Sequence, residues 1–254
     1  MSQSPSLPAP DPWSSLRAAT PARIGLGRAG DAPDLASVLA FQMAHAQARD
    51  AVHAPLDLVA LQARLEGRPV LTLRSRAPDR ATYLRRPDLG RRLHAEDAAA
   101  LVPGAWDAVF ILADGLSATA VQRHAVPLLE ATLERLPGWK IGPVVLATQA
   151  RVALSDEIGA GLGASLAVML VGERPGLSVA DSLGVYLTHG PRPGRRDSER
   201  NCISNIHTSG GLSYAAAATK LAWLMTEARR LGLTGIGLKD EMPALAAAEP
   251  PALG

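Results

Sequence analysis

Three apolar runs, WDAVFILAD (106–114), GPVVLATQ (142–149) and SLAVMLVGE (165–173), are spaced so that a helix fits between each pair. Each run is apolar at consecutive positions, the pattern of a strand buried on both faces. The stretch 116–136, which contains Pro127, and a shorter segment at 156–162 fill the gaps with helical periodicity. Strands that alternate with helices predict an α/β chain with a doubly wound, mostly parallel sheet. PVLTLRS (69–75) reads as an earlier strand, GVYLTHG (184–190) as a later one and TGIGLKD (234–240) as a short last one. Residues 212–232 form the clearest amphipathic helix, stopped by Gly232. In such sheets ligands bind outside the carboxyl ends of the strands, which directs attention to the loops after Leu112, Val171 and Leu187.

The N-terminal part reads differently. Residues 1–19, rich in Pro, Ser and Ala, are expected to be mobile up to Trp13, with an ordered loop at 20–30. A helix follows from its N-cap Asp34 to about His53, with Leu35, Val38, Leu39, Met43, Ala46 and Val52 largely on one face. A second helix runs from Pro55 to Glu66 and stops at Gly67. Residues 76–104, broken by Pro78, Pro87 and Pro103, predict short helical pieces. The expected organisation is a mobile segment (1–19), a mostly helical region (20–104), the α/β unit (105–241) and an Ala/Pro tail (242–254).

Composition excludes several classes. Hydrophobic residues make up 47% and charged residues 20%, ordinary globular usage. No stretch reaches the roughly 20 apolar residues of a membrane span, and the first residues, MSQSPSLPAPDPWSS, lack a secretory signal. A single cysteine, Cys202, excludes a disulfide framework and a multi-thiolate metal site. The expectation is a soluble intracellular protein. Of the 26 basic residues only Lys140, Lys220 and Lys239 are lysines, and aromatics are 4%, too few stacking platforms to favour nucleic acid.

The short motifs are weak one by one. GLGRAG (25–30) fits G-x-G-x-x-G but neither follows a strand nor opens a βαβ unit, so it reads as a turn. No P-loop and no G-x-S-x-G elbow occur, and Ser117 reads as an N-cap. His45 and His53 are eight residues apart, not the four of a helical ligand pair, and with Arg49 and Asp50 read as a polar helix face. Asp114, Gly115 and Ser117 sit where a strand meets a helix, divided evenly between a polar-ligand edge and a simple capped turn. Glu173, with Arg174 beside it, emerges where a buried strand ends. The loop at 190–210 carries Asn201, Cys202, Ser204 and Asn205, and its length marks it as functional or disordered. A lone cysteine is more often inert than a nucleophile.

Together these segments resemble one family. DPWSSLRAATPARIGLGRAG, FQMAHAQARDAVHAPLD, VFILADGLSATAVQRHAVPLL, RVALSDEIGAGLGA, VGERPGLSVADSLGVYLT, PRPGRRDSERNCISNIH and GLSYAAAATKL followed by GIGLKDE are similar to the small (light) subunit of ethanolamine ammonia-lyase, from about Asp11 to Glu241. The resemblance implies an adenosylcobalamin-dependent carbon–nitrogen lyase that converts ethanolamine to acetaldehyde and ammonia in ethanolamine degradation. It implies a Rossmann-like unit at 105–241 packed on a TIM-barrel large subunit, in equal numbers, with cobalamin between them. By motif the cofactor contacts fall on Val152, Glu173 and Cys202, with no catalytic residue, no metal ligand, no nucleic acid and no membrane. The D-x-H-x-x-G motif that gives a histidine to cobalt in many mutases is absent. The resemblance places the chain in the bacterial cytoplasm or in an ethanolamine-utilisation microcompartment, although only about ten residues stand before DPW where some relatives carry a long leader. The alternative is a stand-alone α/β small-molecule binding protein or transferase.

Overall fold

The computed structural model describes residues 11–20 and 22–242; the expectations for residues 1–10 and for the tail past Met242 lie outside them. The chain opens with α1 (Ser14–Ala19), a hairpin of β1 (Arg28–Ala29) and β2 (Ala32–Pro33), then α2 (Leu35–His53) and α3 (Leu58–Arg64). β3 (Val70–Arg74), α4 (Arg80–Arg85), α5 (Ala95–Ala99) and β4 (Trp106–Ala113) follow. α6 (Ala118–Ala120) runs through a π-helical turn (Val121–Ala125) into α7 (Val126–Leu133). After them come β5 (Val144–Thr148), α8 (Leu154–Gly161), β6 (Ala164–Gly172), β7 (Leu183–His189), β8 (Asn201–Ile206) and α9 (Tyr214–Leu231).

β3 to β8 form one sheet in the order β3-β5-β4-β6-β7-β8. The first four are mutually parallel, as the alternating pattern predicts. β7 runs antiparallel to β6 and β8 antiparallel to β7, which makes the sheet mixed. The reason lies in the connection: residues 173–182 contain no helix, and a parallel return needs about a dozen residues or more. β4 shows why the central strands are apolar throughout. Ala108, Phe110 and Leu112 pack on the side covered by α7 and α9, while Val109, Ile111 and Ala113 pack on the side covered by α8.

α9 carries the pattern read from its sequence. Ala217, Leu221, Leu224, Met225 and Ala228 are buried, and Gly232 ends the helix at φ 70°. The Ser213 side chain accepts the Ala216 N–H at 3.2 Å, satisfying one otherwise unpaired donor of the first turn. Ser213→Ala is therefore expected to lower stability by about 1 kcal/mol, and Ser213→Asp to keep it. Urea midpoints of the two variants check this; equal midpoints would remove the cap from the account.

Several expectations are corrected. α2 has its predicted bounds and N-cap, with Asp34 accepting the Ser37 N–H at 2.9 Å. Its apolar face is not core, however: Leu35, Leu39 and Met43 are 72%, 55% and 62% exposed. Among the described residues no element covers that side, and only Ala51 of α2 is buried. Residues 201–206, read as loop, are β8, and the short strand expected at 234–240 is a 3-10 turn (Gly235–Gly237). In the long helix Pro127 withholds the N–H that would bond to Arg123, and the ladder widens into the π turn just before it.

The arginine-rich loop at 190–200 folds back along α8. Arg200 donates to both carboxylate oxygens of Asp156 at 2.7 Å and to Thr188 Oγ1 at 2.8 Å. The two charged side chains are 1% and 2% exposed. No helix among the described residues is long and apolar enough to cross a membrane.

Candidate functional site

At the carboxyl edge of the parallel strands, the loops after β4, β5 and β6 meet in a cleft of about 300 Å³. Gly115 and Leu116 come from the first loop, Arg151 and Val152 from the second, Glu173 and Arg174 from the third. The chain leaves β4 toward β5 but leaves β6 toward β7, in the opposite direction, so the cleft sits where the winding reverses. Its floor is backbone. Gly115 has φ 54°, and a Cβ there would lie 2.3 Å from the Gly172 carbonyl oxygen. A Cβ on Gly172 would lie 2.0 Å from the Ser117 carbonyl oxygen. The two loops are joined by the Leu116 N–H donating to that Gly172 oxygen at 2.8 Å.

Asp114 serves the protein, not a ligand. Its carboxylate accepts the Gln149 N–H at 2.8 Å and the Ala150 N–H at 3.0 Å, tying the loop after β4 to the loop after β5. Burial raises its pKa, opposed by those two N–H groups and by Arg80. Ser117 caps α6 and donates its hydroxyl to the Ala180 carbonyl at 2.9 Å. The capped-turn reading therefore holds for Ser117, while Asp114 bridges loops.

Glu173 is half-buried at the end of β6. Oε2 accepts the Ser182 hydroxyl at 2.5 Å and the Asn205 N–H at 3.2 Å, and Oε1 accepts the Ser204 hydroxyl. A carboxylate offers about four lone-pair sites, so one acceptor position, on Oε1, remains for a ligand. The loop that brings Ser182 into place is held by Asp181, which pairs with Arg123 at 2.8 Å and His124 at 3.3 Å. His124 in turn meets the Tyr214 hydroxyl at 2.7 Å.

Val152 stands half-buried in the turn that enters α8, with its carbonyl accepting the Ser155 hydroxyl at 2.8 Å and its side chain on the cleft. The structure thus brings Val152 and Glu173 together. Cys202 lies one strand farther out on β8, exposed and opposite Tyr186, which itself lines the cleft. Burial pushes the Tyr186 phenol up to about 12, with the Cys202 and Glu173 charges adding to it. Desolvation also raises the Cys202 thiol pKa, against the Tyr186 hydroxyl. A raised thiol pKa is the opposite of what an activated nucleophile needs.

Tyr83 and Arg151 escape sequence reasoning. The Tyr83 ring is buried at the cleft wall, its hydroxyl donating to the Ala150 carbonyl at 3.1 Å, and the Arg151 guanidinium lies 4.4 Å from the ring centroid. Nothing local marks a tyrosine on α4 as the neighbour of a loop 67 residues later. His45 and His53 instead flank a separate depression with Pro175 and Leu177. Among the described residues no group of three His, Cys, Asp or Glu could hold a metal ion. GLGRAG is a turn, with Gly25 at φ 55° pressed against Trp13 and Gly30 at φ 64° in the β1–β2 hairpin.

Comparison with known proteins gives one answer. The family profile described as ethanolamine ammonia-lyase light chain matches residues 10–239. An ethanolamine ammonia-lyase small subunit from Azotobacter vinelandii is 57% identical over 241 residues, 91% of this chain and 89% of the relative. Small subunits from Ralstonia nicotianae and Pseudomonas syringae pv. tomato are 53% and 52% identical, over 93% and 91% of this chain and 92% and 84% of theirs.

Proposed function

The chain belongs to the ethanolamine ammonia-lyase light-chain family, and we propose that its cleft is one half of an adenosylcobalamin site completed by the large subunit. Members of the family are the small subunit of a carbon–nitrogen lyase that acts together with a large one. The observation that carries the cofactor reading is the cleft itself. It holds about 300 Å³, less than a corrin with its nucleotide tail, and it lies open at the sheet's carboxyl edge. The side chains present fit an amide-rimmed ligand: a free acceptor position on Glu173 and the apolar Val152.

When bound, the cofactor supplies radical chemistry through homolysis of its Co–C bond. This chain contributes binding and orientation. Glu173 accepts a hydrogen bond from a corrin amide or ribose hydroxyl, and Val152 packs on the corrin edge or tail. Cys202 acts through the strand pair with Tyr186 and is a soft contact, not a cobalt ligand. The glycine floor lets the ligand approach the loop backbone closely.

The partner in this reading is a TIM-barrel large subunit in equal number, carrying the substrate. In this reading the four parallel strands, with helices on both faces, make up a Rossmann-like unit. The complex belongs in the bacterial cytoplasm or an ethanolamine-utilisation microcompartment. Mixing the purified chain with large subunit and adenosylcobalamin is expected to restore ammonia release from ethanolamine, and neither subunit alone should do so. Absence of both activity and co-migration would return the chain to a stand-alone α/β binding protein or transferase.

A further inference from the structure

We propose that Arg151 is the donor that reads the phosphodiester in the nucleotide tail of the cofactor; this rests on the cobalamin reading above. Three observations carry it. First, the guanidinium is fixed in place before any ligand arrives. The Arg151 N–H donates to the Gly90 carbonyl at 2.8 Å, and the side chain lies over Tyr83. Gly90 makes this possible: a Cβ there would lie 3.0 Å from Arg151 Cγ and 2.8 Å from the Tyr83 ring.

Second, the donor is unspent. Arg151 Nε is buried without a hydrogen-bond partner. Arg80 and Arg200 also keep one unpaired nitrogen each, Nη2 and Nε, but both are held by carboxylates, Arg80 by Asp114 at 3.6 Å with further bonds to the Val52 and Gly115 carbonyls, and Arg200 by Asp156 at 2.7 Å. Among the described residues Arg151 has no carboxylate partner. Third, the local charge is positive. Arg151 and Arg174 both line the cleft, while the one carboxylate there, Glu173, is wrapped by three donors. A preorganised, unpaired guanidinium in a positive cleft is built for an anion, and it meets phosphate oxygens with paired N–H groups. On cobalamin that anion is the phosphodiester; the corrin rim offers only neutral amides.

The test compares three ligands by spectral titration on the complex with the large subunit: cobalamin, cobinamide phosphate, and cobinamide, which has no phosphate. Arg151→Met keeps the stem on Tyr83 and removes the fork. It is expected to weaken cobalamin and cobinamide phosphate by about ten- to hundredfold and to leave cobinamide unchanged. Arg151→Lys should recover part of the loss as a point charge, and it serves if the Met variant does not fold. An equal loss for all three ligands, or none for any, overturns the assignment. Glu173→Ala, run in parallel, separates the two levels of the argument. If it weakens cobalamin and Arg151→Met does not, only this inference falls; if both leave cobalamin binding unchanged, the cobalamin reading falls as well.

Discussion

Asp156→Ala is expected to destabilise the folded chain by about 3–5 kcal/mol, the cost of leaving a buried charge without its partner. Arg200 is 1% exposed and gives two N–H groups to Asp156 at 2.7 Å. With the carboxylate gone, it keeps the Thr188 hydroxyl at 2.8 Å, the Arg195 carbonyl at 3.2 Å and a long contact to the exposed carboxylate of Asp197 at 3.7 Å, which water screens. The pair joins α8 to the turn that enters β8, so its loss also frees the 190–200 loop. Replacing both residues by apolar side chains of similar volume, Asp156→Leu with Arg200→Met, removes the charges together and should recover much of the loss. Urea unfolding of the chain measures both variants. A single variant within about 1 kcal/mol of the parent would show that water reaches Arg200 and that the pair does not anchor the loop.

Glu173→Ala is expected to weaken cobalamin binding in the complex by about ten- to hundredfold, the worth of a hydrogen bond to a charged group. Alanine does two things at once, since Ser182, Ser204 and the Asn205 N–H also lose their acceptor. Glu173→Gln separates them. A glutamine can turn its oxygen toward Ser182 and the Asn205 N–H and offer its amide to Ser204, whose hydroxyl can accept. That keeps the loop in place but removes the acceptor left over for the ligand. Glutamine should therefore cost binding with little cost in thermal midpoint, whereas alanine costs both. If glutamine binds cobalamin as the parent does, Glu173 is a loop anchor and not a ligand contact.

The parts of the fold legible in the sequence are those where burial leaves one pattern. β4 and β6 are buried on both faces and read as uninterrupted apolar runs; α9 has a single buried stripe and a glycine stop. β8 was hidden for a physical reason. Its buried residues, Ile203 and Ile206, are three apart because the pairing with β7 shifts register between Leu183 and Val185, and Asn205 takes φ 64°. The period of two that marks a strand is broken there. α2 misled in the other direction, because a periodic apolar face reports only that something is to be covered, not that this chain covers it.

The site divides the same way. Glu173 was legible as the residue that follows a buried strand, at an edge where open α/β sheets bind ligands. Cys202 is marked by the length of its polar loop but given a role only by resemblance, and Val152 is reached by resemblance alone, since a half-buried valine in a turn carries no local signal. Tyr83 and Arg151 depend on packing between distant segments, which only the folded chain brings together.

The backbone floor of the cleft has a consequence for how such a protein can diverge. Every amino acid other than glycine adds a Cβ, and at Gly115 and Gly172 that atom would overlap a carbonyl oxygen of the facing loop. No exchange at either position is mild, so no gradual path of small replacements leads away from this shape. Drift in what the cleft accepts must run through the side chains on its walls, while its depth stays as it is.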